Sequence, residues 1–229
     1  MRKLNKLDKP QILVDNAVLW TQEYCDCLKE GKTPSKEIAT RYNEESIKAT
    51  LEKETYEKCA YCESKIKHIS YGDIEHILPK NKDARPDLYV EWSNLTLACE
   101  QCNRSGKRKY YSIELPLINP YIDEPDEHLI DMGPIIMPFI GDDRAYVTRE
   151  VLKLNRPALV ERRNERIMSV EKLLNAWKKE KQVSMKNILE EQLHDEYAAD
   201  KEFSSTIKSY LFQMGFPIKE VLERDEVVV

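Results

Sequence analysis

Apolar positions recur at helical spacing over most of this chain. Leu13, Val18, Leu19, Tyr24 and Leu28 predict a helix over 12–30, with Gly31 where a helix would stop. Thr33-Pro34 reads as the cap and first helical residue of a second stretch. Ile38, Tyr42, Ile47 and Leu51 carry its stripe to about residue 55, with an interruption near Asn43. The rhythm then changes. Short runs rich in β-branched and aromatic residues predict strands over 66–71 and 73–78, the second ended by Pro79. Residues 95–97 predict another extended piece, and 103–110 a short helix. Pro116, Pro120, Pro125, Pro134 and Pro138 mark an irregular connector over 112–150. One hairpin is expected within it, pairing 135–137 with 145–147 around Gly141-Asp142-Asp143. Asn155 as cap and Pro157 in the first turn restart the helical period. Val160, Ile167, Val170, Leu174 and Trp177 follow it; Met185, Leu189 and Leu193 begin another helix. Phe203, Ile207, Tyr210, Leu211 and Met214 line a third, stopped by Gly215 and Pro217, before a charged tail ending in three valines. There is no internal repeat.

The pattern predicts an α+β fold, mainly α. An N-terminal helical segment (1–57) leads into a compact strand-strand-helix core (58–111). A proline-rich connector (112–155) and a C-terminal helical segment (156–229) follow. At 229 residues, with 41% hydrophobic and 34% charged positions, the chain can bury a sizeable core beneath a charged surface. No run approaches the length of a membrane span and no signal peptide opens the chain, so a cytoplasmic protein with no membrane partner is expected. The net charge of −5 gives no global attraction for nucleic acid. Any such contact must come from a local patch, and Lys80, Arg104, Lys107, Arg108 and Lys109 supply one.

Six cysteines are too few for a disulfide framework, and four of them form two C-x-x-C pairs, Cys59/Cys62 and Cys99/Cys102. Each pair places two thiolates on one tight turn, and together they make the four-sulfur set of a structural zinc site with no open position for water. Cys25 and Cys27 lie one residue apart on the first helix, point in different directions and read as core cysteines.

The two knuckles bracket Glu75-His76 and Asn94, and Asn103 directly follows the second knuckle. Phosphodiester hydrolysis needs an activated water, which a histidine titrating near neutrality can supply. It also needs a cation to stabilise the phosphate and the leaving oxygen. A hard cation such as Mg²⁺, or Mn²⁺, takes oxygen ligands, for which Glu75 and Asn103 are the candidates and Asp73 the fallback. Glu75 and His76 are adjacent, so on a regular strand they face opposite sides. Lys107, four residues after Asn103, and the nearby Arg104 and Lys80 are candidate phosphate contacts. His68, His128 and His194 read as structural.

These residues resemble the HNH endonuclease family, whose signature is a histidine, a middle asparagine and a third polar residue on a helix: here His76, Asn94 and Asn103. The resemblance implies a zinc-stapled ββα-metal nuclease core. It also implies His76 as general base, Asn94 as the residue holding the loop that orients it, and Glu75 and Asn103 as ligands of the catalytic cation. Further matches lie in Tyr56 to Glu63, Ile74 to Lys80, Asn119-Pro120 with Asp126 to Leu129, and Leu154 to Pro157. Together these are similar to the HNH nuclease component (PtuB-like) of Septu-type anti-phage systems, also attached to some retrons. That similarity implies a defence role and an ABC/SMC-like ATPase partner. DNA is the favoured substrate. An RNA-directed (tRNA) nuclease toxin and a non-catalytic zinc-stapled nucleic-acid-binding module remain the alternatives.

Overall fold

The computed structural model describes residues 1–66 and 72–219. Helix α1 (Gln11–Lys29) buries Leu13 and Tyr24, then stops one residue before the left-handed Gly31. The second helical stretch is broken into three pieces. Ser35, rather than Thr33, caps the one-turn helix α2 (Lys36–Ala39) by accepting from the Ile38 amide. A 3₁₀ turn (Arg41–Asn43) follows, and Glu44 caps α3 (Glu45–Glu54), which buries Ile47 and Leu51. The break falls at Asn43 as the sequence suggests, and it turns Tyr42 away from the helical stripe.

Strand β1 (Asp73–His76) pairs antiparallel with β2 (Leu95–Ala98), Glu75 opposite Thr96 and His76 opposite Leu95. The predicted strand over 66–71 lies almost wholly outside the described residues. The helix after the second knuckle spans Gln101–Lys107 and is wound as a π-helix. Gly106 is required there, since a Cβ would stand 2.8 Å from the Val151 carbonyl oxygen.

In the connector, β3 (Leu129–Met132) pairs with β4 (Ile135–Pro138) across Gly133-Pro134. The expected partner of residues 135–137 is therefore corrected. Residues 145–147 lie in helix α4 (Asp143–Val151), because Asp142 accepts from the Ala145 amide and caps a helix instead of closing a hairpin. Asn155 likewise caps nothing. Its carboxamide bonds the Ile136 amide (2.9 Å) and carbonyl (2.7 Å), standing in for a strand neighbour of β4.

Helix α5 (Pro157–Lys179) starts at its proline; α6 (Val183–Asp195) and α7 (Ser204–Gln213) pack on it. Two cores result. The larger joins Leu13, Tyr24, Ile47 and Leu51 to the knuckles, strands β1 and β2, Ile118, Leu129 and Leu154. The N-terminal helices and the connector are therefore built onto the zinc-knuckle core. The smaller gathers Ile167, Val170, Leu174, Leu193, Ile207 and Leu211 from α5, α6 and α7. Met185 and Met214, expected in helix stripes, are exposed.

Candidate metal centre and nuclease cleft

The first knuckle is a tight turn closed by the Cys59 amide on the Ser64 carbonyl and the Glu63 amide on the Cys59 carbonyl, both 2.9 Å. Its Ala60 amide reaches the Leu97 carbonyl, which ties the turn to the end of β2, where the second knuckle begins. The sulfurs of Cys59, Cys62, Cys99 and Cys102 consequently lie within 4.8 Å of one another. Tetrahedral zinc with bonds of about 2.3 Å sets its sulfurs roughly 3.8 Å apart; Cys62 and Cys99 are 3.8 Å apart. The four thiols fit a structural zinc ion. A residue of the Leu154 to Pro157 stretch, to which the sequence assigns no role, completes the site. Arg156, just before α5, directs its guanidinium at Cys102 (3.6 Å), Cys62 (3.7 Å) and Cys99 (3.9 Å). Burial opposes its charge, but the thiols, Cys62 first, hold its pKa above the usual value. A four-thiolate zinc site carries excess negative charge, and Arg156 is placed to offset it.

On β1 the side chains alternate. His76 faces the N-terminal segment; its Nε2 lies 2.8 Å from the Tyr89 carbonyl oxygen, and the Tyr42 ring meets it edge-on at 4.7 Å between centroids. A carbonyl only accepts, so Nε2 carries the proton and Nδ1 keeps its lone pair. Burial, then Lys80 and Lys107, push the His76 pKa down to about 3, so the ring is neutral at neutral pH.

Asn94 braces the loop that leaves His76. Its Oδ1 accepts from the Leu78 amide (2.7 Å), and its Nδ2 donates to the Leu78 (2.9 Å) and Leu88 (3.2 Å) carbonyls. The Asn94 carbonyl also accepts from the Ile77 amide at 2.8 Å.

The other face of β1 meets the helix Gln101–Lys107. One helical turn matches a two-residue step of strand. Asn103 donates to Asp73 at 3.2 Å, while Lys107 bonds the Glu75 carboxylate and the His76 carbonyl (2.7 Å). Arg104 makes a two-pronged contact with Asp73, at 2.9 and 2.7 Å.

Asp73, Asn103 and Arg104 open onto a cleft of about 250 Å³ whose far wall is Tyr42 and Asn43. Two expected phosphate contacts are thereby relocated. Lys107 is buried between Glu75 and His76, and Lys80 is half-buried, with its Nζ on the Ala39 carbonyl (3.0 Å) and over the Tyr42 ring (3.6 Å). Burial lowers Lys80 to about 7. Arg104 alone of the three is exposed.

Burial raises Glu75 above the ordinary carboxylate range against the pull of Lys107. A cation at this face would find hard oxygen donors in the Asp73 carboxylate and the Asn103 carboxamide, with Glu75 behind them. That donor set fits Mg²⁺ or Mn²⁺.

Tyr42, Asn43 and the Tyr89 carbonyl are site features that the helical stripes did not reveal. Elsewhere, His128 pairs through Nδ1 with Asp142 (2.6 Å) across the β3–β4 hairpin, and His194 of α6 with the Tyr197 hydroxyl just beyond that helix (2.5 Å). His68 lies outside the described residues. Cys25 and Cys27 are half-buried and free. Among the described residues no helix is long and apolar enough to cross a membrane.

Residues 59–109 match the family profile described as HNH endonuclease. The chain is 34% identical to the Septu protein PtuB of Bacillus mycoides (strain KBAB4) over 150 residues, covering 53% of this chain and 51% of that protein. It is 33% identical over 130 residues to the Septu protein PtuB of Bacillus thuringiensis, covering 56% and 46%. Against the candidate HNH endonuclease of retron Vc95 from Vibrio cholerae it is 31% identical over 133 residues, covering 53% and 63%. The chain thus spans roughly half to three-fifths of the length of these relatives. No solved structure matches it significantly. With His76 and Asn94 set between the two knuckles and Asn103 on the helix directly after the second, residues 59–109 match the HNH endonuclease family, and about half of the chain is similar to Septu and retron HNH proteins.

Proposed function

We propose that this protein is a metal-dependent endonuclease that hydrolyses phosphodiester bonds of nucleic acid, DNA by preference. We further propose that it is the nuclease effector of an anti-phage complex with an ABC/SMC-like ATPase partner. The observation that carries the chemistry is the state of His76. Its proton is held at Nε2 by the Tyr89 carbonyl, so Nδ1 is the ring's acceptor for a proton from water, although in the free protein it is a far weaker base than the near-neutral histidine expected from the sequence. Asn94 fixes the loop from Ile77 to Leu78 and hence the ring's approach. Asp73 and Asn103, with Glu75, are the residues proposed to hold Mg²⁺ or Mn²⁺, which when bound neutralises the phosphate and the leaving 3′ oxygen. Arg104, exposed and bonded to Asp73, is the cation proposed to meet the substrate backbone, where a cation positions without reading sequence. The four-cysteine zinc site keeps β1, β2 and the helix in register.

Support for a partner is physical as well as familial. The net charge of −5 attracts a polyanion poorly, and Val14, Val18 and Leu19 of α1 remain exposed. Two of the relatives carry the Septu name, and a cytoplasmic defence complex is the setting it suggests. The test is incubation of the purified protein, alone and co-expressed with the neighbouring gene product, on DNA and on total RNA in Mg²⁺, Mn²⁺ or EDTA. Metal-dependent DNA cleavage that rises with a co-purifying ATPase is expected. Full activity alone at physiological salt, with no ATPase retained, rejects the partner.

A further inference from the structure

Helix Gln101–Lys107 brings two cations to β1, and their surroundings differ. Lys107 meets Glu75 out of water: the two side chains are 2% and 6% exposed, and the same Nζ bonds the His76 carbonyl. That pair is fixed, since parting it strands a buried charge. Arg104 meets Asp73 at the cleft, with side chains 67% and 19% exposed. Water competes for both partners of such a pair, so it is held weakly and can exchange.

Weakly held, the contact is still complete in its geometry. The guanidinium donates through Nη2 to Asp73 Oδ1 at 2.7 Å and through Nε to Oδ2 at 2.9 Å. Asn103 Nδ2 adds a third donor to Oδ2 at 3.2 Å. A two-pronged arginine takes up both oxygens of a carboxylate. The same carboxylate is proposed to hold Mg²⁺ or Mn²⁺. A divalent cation at the usual ~2.1 Å from a carboxylate oxygen stands against the guanidinium, like charge against like charge. Asp73 therefore serves one of them at a time. Asn103 is outside the conflict: donating through Nδ2, it keeps Oδ1 for the cation. Arg104 and Asp73 line one cleft, so a phosphate bound beside the cation lies within reach of the displaced guanidinium and offers it a second two-oxygen partner.

We propose that Arg104 is the counter-ion that the catalytic cation displaces from Asp73 and that the substrate's phosphate backbone then receives, so that cation and nucleic acid bind cooperatively. The inference rests on the nuclease reading and on Asp73 as a metal ligand. A phosphate that draws Arg104 away removes the cation's competitor. By linkage, the cation raises the affinity for nucleic acid by the same factor. The buried Lys107–Glu75 pair stays in place throughout and keeps helix and strand together.

The experiment measures Mn²⁺ binding by electron paramagnetic resonance on the zinc-loaded full chain, in a His76→Ala background that leaves nucleic acid uncut. Each protein is titrated alone, with a short DNA duplex, and with tRNA. Without nucleic acid, Arg104→Gln should bind Mn²⁺ about 1.5- to 5-fold more tightly, the span of one exposed ion pair. DNA or tRNA should tighten Mn²⁺ more in the parent than in the Gln variant, by that same factor. Arg104→Lys keeps the charge without the fork and should fall between them. Zinc content and Tm should hold in all three. An arginine with a merely structural role leaves Mn²⁺ affinity unchanged, or lowers it, when replaced. Either result overturns the proposal, as does equal tightening by nucleic acid in parent and variant. Asp73→Asn that binds Mn²⁺ as tightly as its parent removes Asp73 as a ligand and overturns it too. Cleavage by the wild-type chain is assayed separately. Its absence in both Mg²⁺ and Mn²⁺ overturns the nuclease reading, and the Mn²⁺ titrations still decide the competition at Asp73.

Discussion

Replacing Asn94 by alanine removes one accepted and two donated hydrogen bonds from a side chain that is 4% exposed. The Leu78 amide loses its acceptor, and an orphaned buried amide costs about 1–3 kcal/mol. The Leu78 and Leu88 carbonyls lose donors, a smaller penalty because each oxygen can find a second partner. The sum is roughly 2–4 kcal/mol, a large part of the ~5–15 kcal/mol that holds a domain folded but short of all of it. The variant should fold at 25 °C, with Tm lowered by about 5–15 °C. Its activity should fall further than its stability. The loop from Ile77 to Leu78 carries His76, and a displacement of about 1 Å at a reacting group costs on the order of 10²-fold. Asn94→Asp sharpens the test. It keeps an oxygen for the Leu78 amide but sets a carboxylate against two carbonyls, so it should be no better than alanine. The assay is single-turnover cleavage of a labelled duplex at a temperature where urea melts show both variants folded, with zinc measured on the same samples. Cleavage within threefold of wild type in a folded Asn94→Ala protein would refute the bracing role.

Cys99→Ser should lose its zinc and unfold residues 58–111, since site formation and folding are coupled, as elemental analysis and circular dichroism would show. His76→Ala should keep zinc and Tm while cleavage drops about 10²- to 10⁴-fold, the contribution of a general base. Asn103→Ala should weaken the catalytic cation so that added Mn²⁺ partly restores the rate, read from metal titrations of activity. Arg156→Gln should leave the fold in place but lower zinc affinity about 10- to 100-fold, measured by competition with a chelating dye.

The zinc site was legible because a C-x-x-C turn is local, and only the closure of two such turns is left to the fold. Helices α1, α5 and α7 were legible in their apolar spacing, although Val18 and Leu19 of the first stripe face outward. Asp142 was not, since Gly-Asp-Asp suits both a hairpin turn and a helix cap. The choice was made at Gly133-Pro134, where β3 and β4 turn into each other. The spacing of Lys107 from Asn103 placed both on one helix face, which holds. It could not reveal that this face meets Asp73 and Glu75 on a strand about 30 residues earlier, turning an expected surface lysine inward. Tyr42 read as one more stripe residue. Only the break at Asn43, together with Tyr89 donating to the Ile38 carbonyl and accepting from the Arg41 amide, turns it toward His76. Arg156 lies in a matching stretch, but its role was hidden because its partners are three cysteines 54 to 94 residues away.

Central to this account is a water molecule, deprotonated at His76, that attacks the phosphate. Cleavage in H₂¹⁸O with Mg²⁺, followed by mass spectrometry of the product ends, tests it directly. One ¹⁸O in each 5′-phosphate, with 3′-hydroxyl partners and loss of both products in His76→Ala, is the predicted result. Products ending in unlabelled 2′,3′-cyclic phosphate would contradict it, making the 2′-hydroxyl of RNA the nucleophile in place of water.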